Sequence, residues 1–202
     1  MNWDMFLAWV PVGFALLLDL IVLGRDKVQL WHYVLIVPIG MVWLFFYPNS
    51  GYLVTDILHP FLHYKPMTGG NYFYEIEFWH HLLLFFTAGV IGLLLSFYSL
   101  FSLQELVRRL FGRVAGWLFA LAVLLLSSYG IYIGRFIRWN SWDVFTRPRY
   151  LLRELVFIMT DKTKVLHIIA FSKVIFLCLL LSYCILVAIT TLAASRRPVT
   201  EK

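Results

Sequence analysis

WHHLLLFFTAGVIGLLLSFYSLFSL, residues 79–103, runs for 25 residues without an Asp, Glu, Lys or Arg. Wound as an α-helix at about 1.5 Å per residue, it is long enough to cross a hydrocarbon core of about 30 Å. A chain of 202 residues that is 61% hydrophobic and 14% charged cannot hide that much apolar surface inside one small soluble core, so lipid must serve as part of its solvent. Comparable runs lie near 5–23, 30–47, 114–134 and 165–194, which makes about five spans. The runs are continuous, rich in Leu, Phe, Ala and Ile, and lack the alternation of membrane β-strands. The expected fold is therefore all-α, a polytopic transmembrane helical bundle. No repeat, low-complexity tract or long linker divides it, so residues 1–202 read as a single integral membrane domain.

The start, MNWDM, carries Asp4 and no Lys or Arg, so the first run reads as a retained helix and not a cleavable signal. Cys178 and Cys184, six apart in the last run, have no redox or metal spacing and read as small apolar fillers. Arg25 and Lys27, then Arg108, Arg109 and Arg113, then Arg196, Arg197 and Lys202 all fall on one side of a five-span chain. The positive-inside tendency makes that side cytoplasmic and the N-terminus external. Segment 48–78 then becomes an outer connection, re-entrant or extended, holding Lys65 with Asp56, Glu75 and Glu77. Segment 135–164 lies outside too, against the tendency, with Arg135, Arg138, Arg147, Arg149, Arg153, Lys162 and Lys164. Its apolar stretch 151–159 is too short to span and carries Arg153 and Glu154, which fits a short interfacial amphipathic helix.

Three stretches, FLAWVP (6–11), YPNSGYLVTDILH (47–59) and GRFIRWNSWDVFTRP (134–148), resemble in matching order the signature segments of an integral membrane family, domain of unknown function 1361. PNSGY stands where that pattern leads one to expect PNAPY, and FYEIEFWHH where a Trp-Tyr-Asp lead-in is expected. The resemblance implies a bacterial inner-membrane location and no particular activity, so catalytic residues and cofactors stay unknown and function must be argued from side chains.

In VTDILH, Asp56 and His59 are three apart and share a face if the segment winds as a helical turn. The pair supports either weak metal ligation or an Asp–His hydrogen bond that fastens the outer segment. Pro60 opposes a straight helix to His63, and no zinc motif accompanies the pair. Glu77 and His81, four apart at the start of the third span, offer an acid–base pair, a third metal candidate in His81, or simple anchoring at headgroup level. A bis-histidine haem would need His167 as its second ligand, and no haem attachment motif is present. Lys173, near the outer end of the last span, either snorkels outward or faces the polar cluster, and Asp19 reads as a boundary partner of Arg25.

GRFIRWNSWD, 134–143, leaves the fourth span with two cations between aromatic residues that favour the interface. Asn140 and Asp143 have the spacing of a helix cap. Arg135 and Arg138, one turn apart, form a fork that suits a carboxylate or phosphate. Their partners are therefore the outer acids, Asp56 among them, or an anionic lipid.

Three functions follow. The first is a binding or transport-type protein whose outer site of Arg135, Arg138, Asn140, Asp143 and Asp56 holds an anionic lipid headgroup or solute. The second is an intramembrane metal- or acid/base-dependent enzyme acting on a lipid. The third is a structural subunit of a membrane complex, with a protein partner or a second copy covering the motif. Nothing in the chain points to nucleic acid. The topology is directly testable: in a background lacking Cys178 and Cys184, Phe145→Cys should react with a membrane-impermeant maleimide applied to intact cells. Labelling only after the membrane is broken would reverse the orientation.

Overall fold

In the computed structural model, which describes residues 2–22, 30–63, 75–137 and 146–195, every element is helical. Helix α1 spans Asn2–Val22 and α2 spans Leu30–Phe46. Three short turns follow, α3 at Pro48–Tyr52, a 3-10 turn at Leu53–Leu58 and α4 at His59–His63. Then come α5 (Ile76–Phe111), α6 (Arg113–Tyr132) running into a π-helical turn (Ile133–Ile137), α7 (Pro148–Thr160) and α8 (Lys162–Ser195). Among the described residues five helices are long and apolar enough to cross a membrane: Trp3–Val22, Val34–Phe61, Ile76–Phe111, Arg113–Ile137 and Lys162–Ser195.

The main departure from the sequence reading is at Pro48. Residues 48–63, expected in a re-entrant or extended outer connection, continue the second span as helical turns. Proline has no N–H to give and its fixed φ suits the first turn of a helix, so Pro48 restarts the helix in place of ending it. Pro60 sits one residue later in its turn, at the second residue of α4. The run keeps one direction along α5: Trp43 meets Ser99, Tyr47 meets Ser96, Ser50 meets Gly92, Leu53 meets Gly89, and His59 meets Phe85.

Glycines make that approach possible. A Cβ on Gly92 would lie 2.5 Å from the Ser50 carbonyl oxygen, and one on Gly130 would lie 2.8 Å from Pro48 Cγ. Small residues at such points let backbones come close enough for dispersion to hold helices together where lipid supplies no hydrophobic drive. Gly112 solves a different problem. Its φ of 92° lets the chain reverse between α5 and α6 while its N–H donates to the Arg108 carbonyl.

Polar pairs fasten the same interior. Trp43 Nε1 donates to Ser99 Oγ at 2.6 Å, Ser96 Oγ donates to Tyr47 OH at 2.7 Å, and Tyr183 OH donates to Gln104 Oε1. Ser50 Oγ reaches the Ala8 carbonyl at 2.8 Å. Asp19, expected at a boundary beside Arg25, accepts from Ser102 Oγ at 2.7 Å, which ties α1 to α5; Arg25 lies outside the described residues. Cys178 and Cys184 point outward from α8, exposed, so they do not fill the core as expected.

Gly92→Ala should lower stability by about 1–3 kcal/mol, because backbone has to move to admit one methyl group. Gly13→Ala, where a Cβ meets nothing within 4 Å, should stabilise by less than about 1 kcal/mol. Thermal unfolding of both variants in the same detergent checks the pair; equal behaviour would refute the close-packing argument.

Candidate functional site

Two irregular turns face each other near the end of the bundle that holds the start of α1. Asp56 comes from the 3-10 turn and Arg135 from the π-helical turn. Both departures from α-helix re-aim side chains that regular winding would send elsewhere, and π-turns are often found at functional positions. Arg135 Nη1 donates to Asp56 Oδ1 at 3.0 Å, and the side chains are only 15% and 8% exposed. His59 Nδ1 lies 3.3 Å from the same oxygen, in the i,i+3 geometry that the sequence spacing predicts. The His59 ring stacks on Phe85, with centroids 5.3 Å apart and planes 12° apart. Tyr52 offers its ring face to the Arg135 guanidinium at 5.9 Å. Asp4, from α1, adds a second negative charge within electrostatic range of Asp56.

Depth distinguishes this cluster from an ordinary surface ion pair. Asp56 lies between residues that face Gly89 and Phe85 of α5, whereas the polar start of that helix, Glu77, His80 and His81, is exposed. At 1.5 Å per residue the pair lies about 9 Å further along α5 than His81. Arg135 therefore lies inward of the exposed polar start of α5, with its side chain 15% exposed. A charge at that depth needs a partner, since desolvation alone costs several kcal/mol. Asp56 supplies it.

The other sequence candidates separate. Arg138, Asn140 and Asp143 lie outside the described residues. Glu75 occupies the N-cap position of α5 without a side-chain capping bond, and His81 Nδ1 donates to the Glu77 backbone carbonyl at 3.0 Å and not to its carboxylate. His167 bonds Tyr132 OH through Nδ1 at 3.1 Å and meets the edge of Phe136 at 5.1 Å. One turn thus presents Arg135 to Asp56 and Phe136 to α8. Lys173 is exposed on α8. No three His, Cys, Asp or Glu side chains among the described residues converge as a metal centre requires.

Sequence reasoning missed the interior bonds of Trp43, Tyr47, Gln104 and Tyr183. Ser96, Ser99 and Ser102 carried the signal, three apart and hence along one side of α5.

No curated protein matches the chain, and no solved structure matches it either. A family model does, over residues 3–193, and by that match the chain belongs to the family described as protein of unknown function DUF1361.

Proposed function

We propose that this protein is a binding protein of the bacterial inner membrane, with its N-terminus outside and its C-terminus cytoplasmic, that holds an anionic lipid headgroup or solute at the Asp56–Arg135 site. The observation that carries the reading is the inset guanidinium. A guanidinium has five N–H donors in a planar fork, and Asp56 engages it through a single nitrogen at 3.0 Å. Among the described residues that leaves the fork capacity for a second oxyanion. Arg138 follows Arg135 in sequence and is the natural second cation for a phosphate, and Asn140 and Asp143 complete the proposed ligand set.

The site also has a structural role on this reading. Asp56 and Arg135 are 79 residues apart in sequence, and their contact joins the second span to the fourth. The pair holds the guanidinium ready, and the ligand completes its hydrogen bonding. An acid/base enzyme built on Glu77 and His81 has less to recommend it, because the His81 ring meets a backbone carbonyl.

Native mass spectrometry of protein extracted in mild detergent tests the proposal. Wild type should carry an anionic adduct of phospholipid or phosphorylated solute mass, and Arg135→Gln with Arg138→Gln should reduce its occupancy at least about tenfold, the loss expected for charge-assisted bonds. Bare wild-type protein, or an adduct indifferent to both changes, would overturn it. A double-mutant cycle addresses the structural role separately. Asp56→Asn and Arg135→Gln should each cost about 1–3 kcal/mol in unfolding, with the double variant costing less than their sum.

A further inference from the structure

We infer that α7 and the turn joining it to α8 form a second, separate lipid contact, a cationic platform that seats on the anionic phospholipid surface of the leaflet it faces. Helix α7 has 13 residues, about 20 Å, and so cannot cross the bilayer. Its Leu151 and Ile158 are buried, while Tyr150, Val156 and Phe157 are 58%, 66% and 65% exposed. Large apolar side chains left uncovered on a helix beside the membrane are the ones that enter the headgroup layer.

The charges on the same unit give the surface its preference. Segment 147–164 has Arg147, Arg149, Arg153, Lys162 and Lys164 against Glu154 and Asp161. All five cations are exposed. Both acids have local tasks: Glu154 bonds the Tyr150 hydroxyl, and Asp161 accepts from the backbone N–H groups of Thr163 and Lys164 at 2.9 and 3.3 Å, capping α8. The excess is therefore positive, and cations near an anionic bilayer surface are each attracted by about 1 kcal/mol, roughly fivefold in partition.

The turn also fixes where the platform sits. Lys164 Nζ lies 4.4 Å from the centroid of the Phe157 ring and 3.8 Å from Asp161 Oδ2, so the end of α7 is clasped to the first turn of α8. Helix α8 is itself a span, so the clasp places α7 at the membrane surface beside the start of that span. Charge complementarity selects phosphate headgroups as the occupant of this face, in place of a protein.

The test uses the full chain in nanodiscs. With Cys178 and Cys184 replaced by Ala, Val156→Cys carrying bimane, at a position 66% exposed and outside the clasp, should be quenched by a lipid with a shallow acyl-chain nitroxide. Quenching should be stronger with 30% phosphatidylglycerol, roughly, than with phosphatidylcholine alone, and should fall towards the phosphatidylcholine level in about 0.5 M salt, where screening is nearly complete. Arg149→Gln with Arg153→Gln should reduce the phosphatidylglycerol preference at least about fivefold, with unchanged thermal unfolding showing that the bundle is intact. Equal quenching in both lipids would leave only apolar seating and overturn the anionic contact. No quenching in either would mean that water or a protein covers the face, which overturns it also. Arg135→Gln serves as the control that keeps the two lipid sites distinct, since it should leave the α7 signal as in wild type.

Discussion

Backbone lies against backbone where residues 48–54 cross α5, with the Ser50 carbonyl oxygen 2.5 Å from where a Gly92 Cβ would stand and the Leu53 carbonyl oxygen 3.5 Å from the Gly89 position. In lipid, apolar side chains gain nothing by leaving the solvent for one another, so contact distance and hydrogen bonding decide how helices associate. Much else in the bundle follows from that crossing. It carries the second span past Pro48 without a change of direction, presses Pro48 onto Gly130 of α6, and delivers Asp56 to the level of Arg135.

The interior polar pairs belong to the same arrangement. Trp43 with Ser99, Tyr47 with Ser96 and Tyr183 with Gln104 each join two helices by a bond that water does not compete for. Such bonds are individually modest in membranes, near 0.6 kcal/mol on average by order of magnitude. Their value here lies in register. A helix that slides by one turn loses its hydroxyl partner and also drives a side chain into a glycine gap, so the two kinds of contact penalise the same error.

The spans were legible in the sequence because hydropathy over about 20 residues is a property of the chain alone. Helix α7 was legible from a stretch too short to span that mixes apolar residues with Arg153 and Glu154, and the Asp56–His59 contact followed from simple i,i+3 spacing. In sequence the second run closes at residue 47, but a proline such as Pro48 marks a helix start as readily as a helix end, and only the glycines facing it decide between the two. The partner of Arg135 was named among several acids, but neither its identity nor its depth could be read, since both depend on how a 3-10 turn and a π-turn meet across the bundle. The bond from Ser102 to Asp19 could not be read, because it depends on which face of α5 packs on α1.

Helix α8 is attached by a narrow seam. Ser172, Leu179 and Tyr183 are its buried residues, and their spacing of seven and four is that of one side of a straight helix. At 34 residues it is about 51 Å long, well beyond the thickness of a hydrocarbon layer of about 30 Å. Helices with that surplus meet the mismatch by tilting, and a seam with three buried residues, flanked by half-buried ones such as Phe171 and Ile175, gives the tilt little protein to push against. The inclination of α8, and with it the attitude of the helix clasped to its first turn, is thus set as much by bilayer thickness as by the rest of the chain.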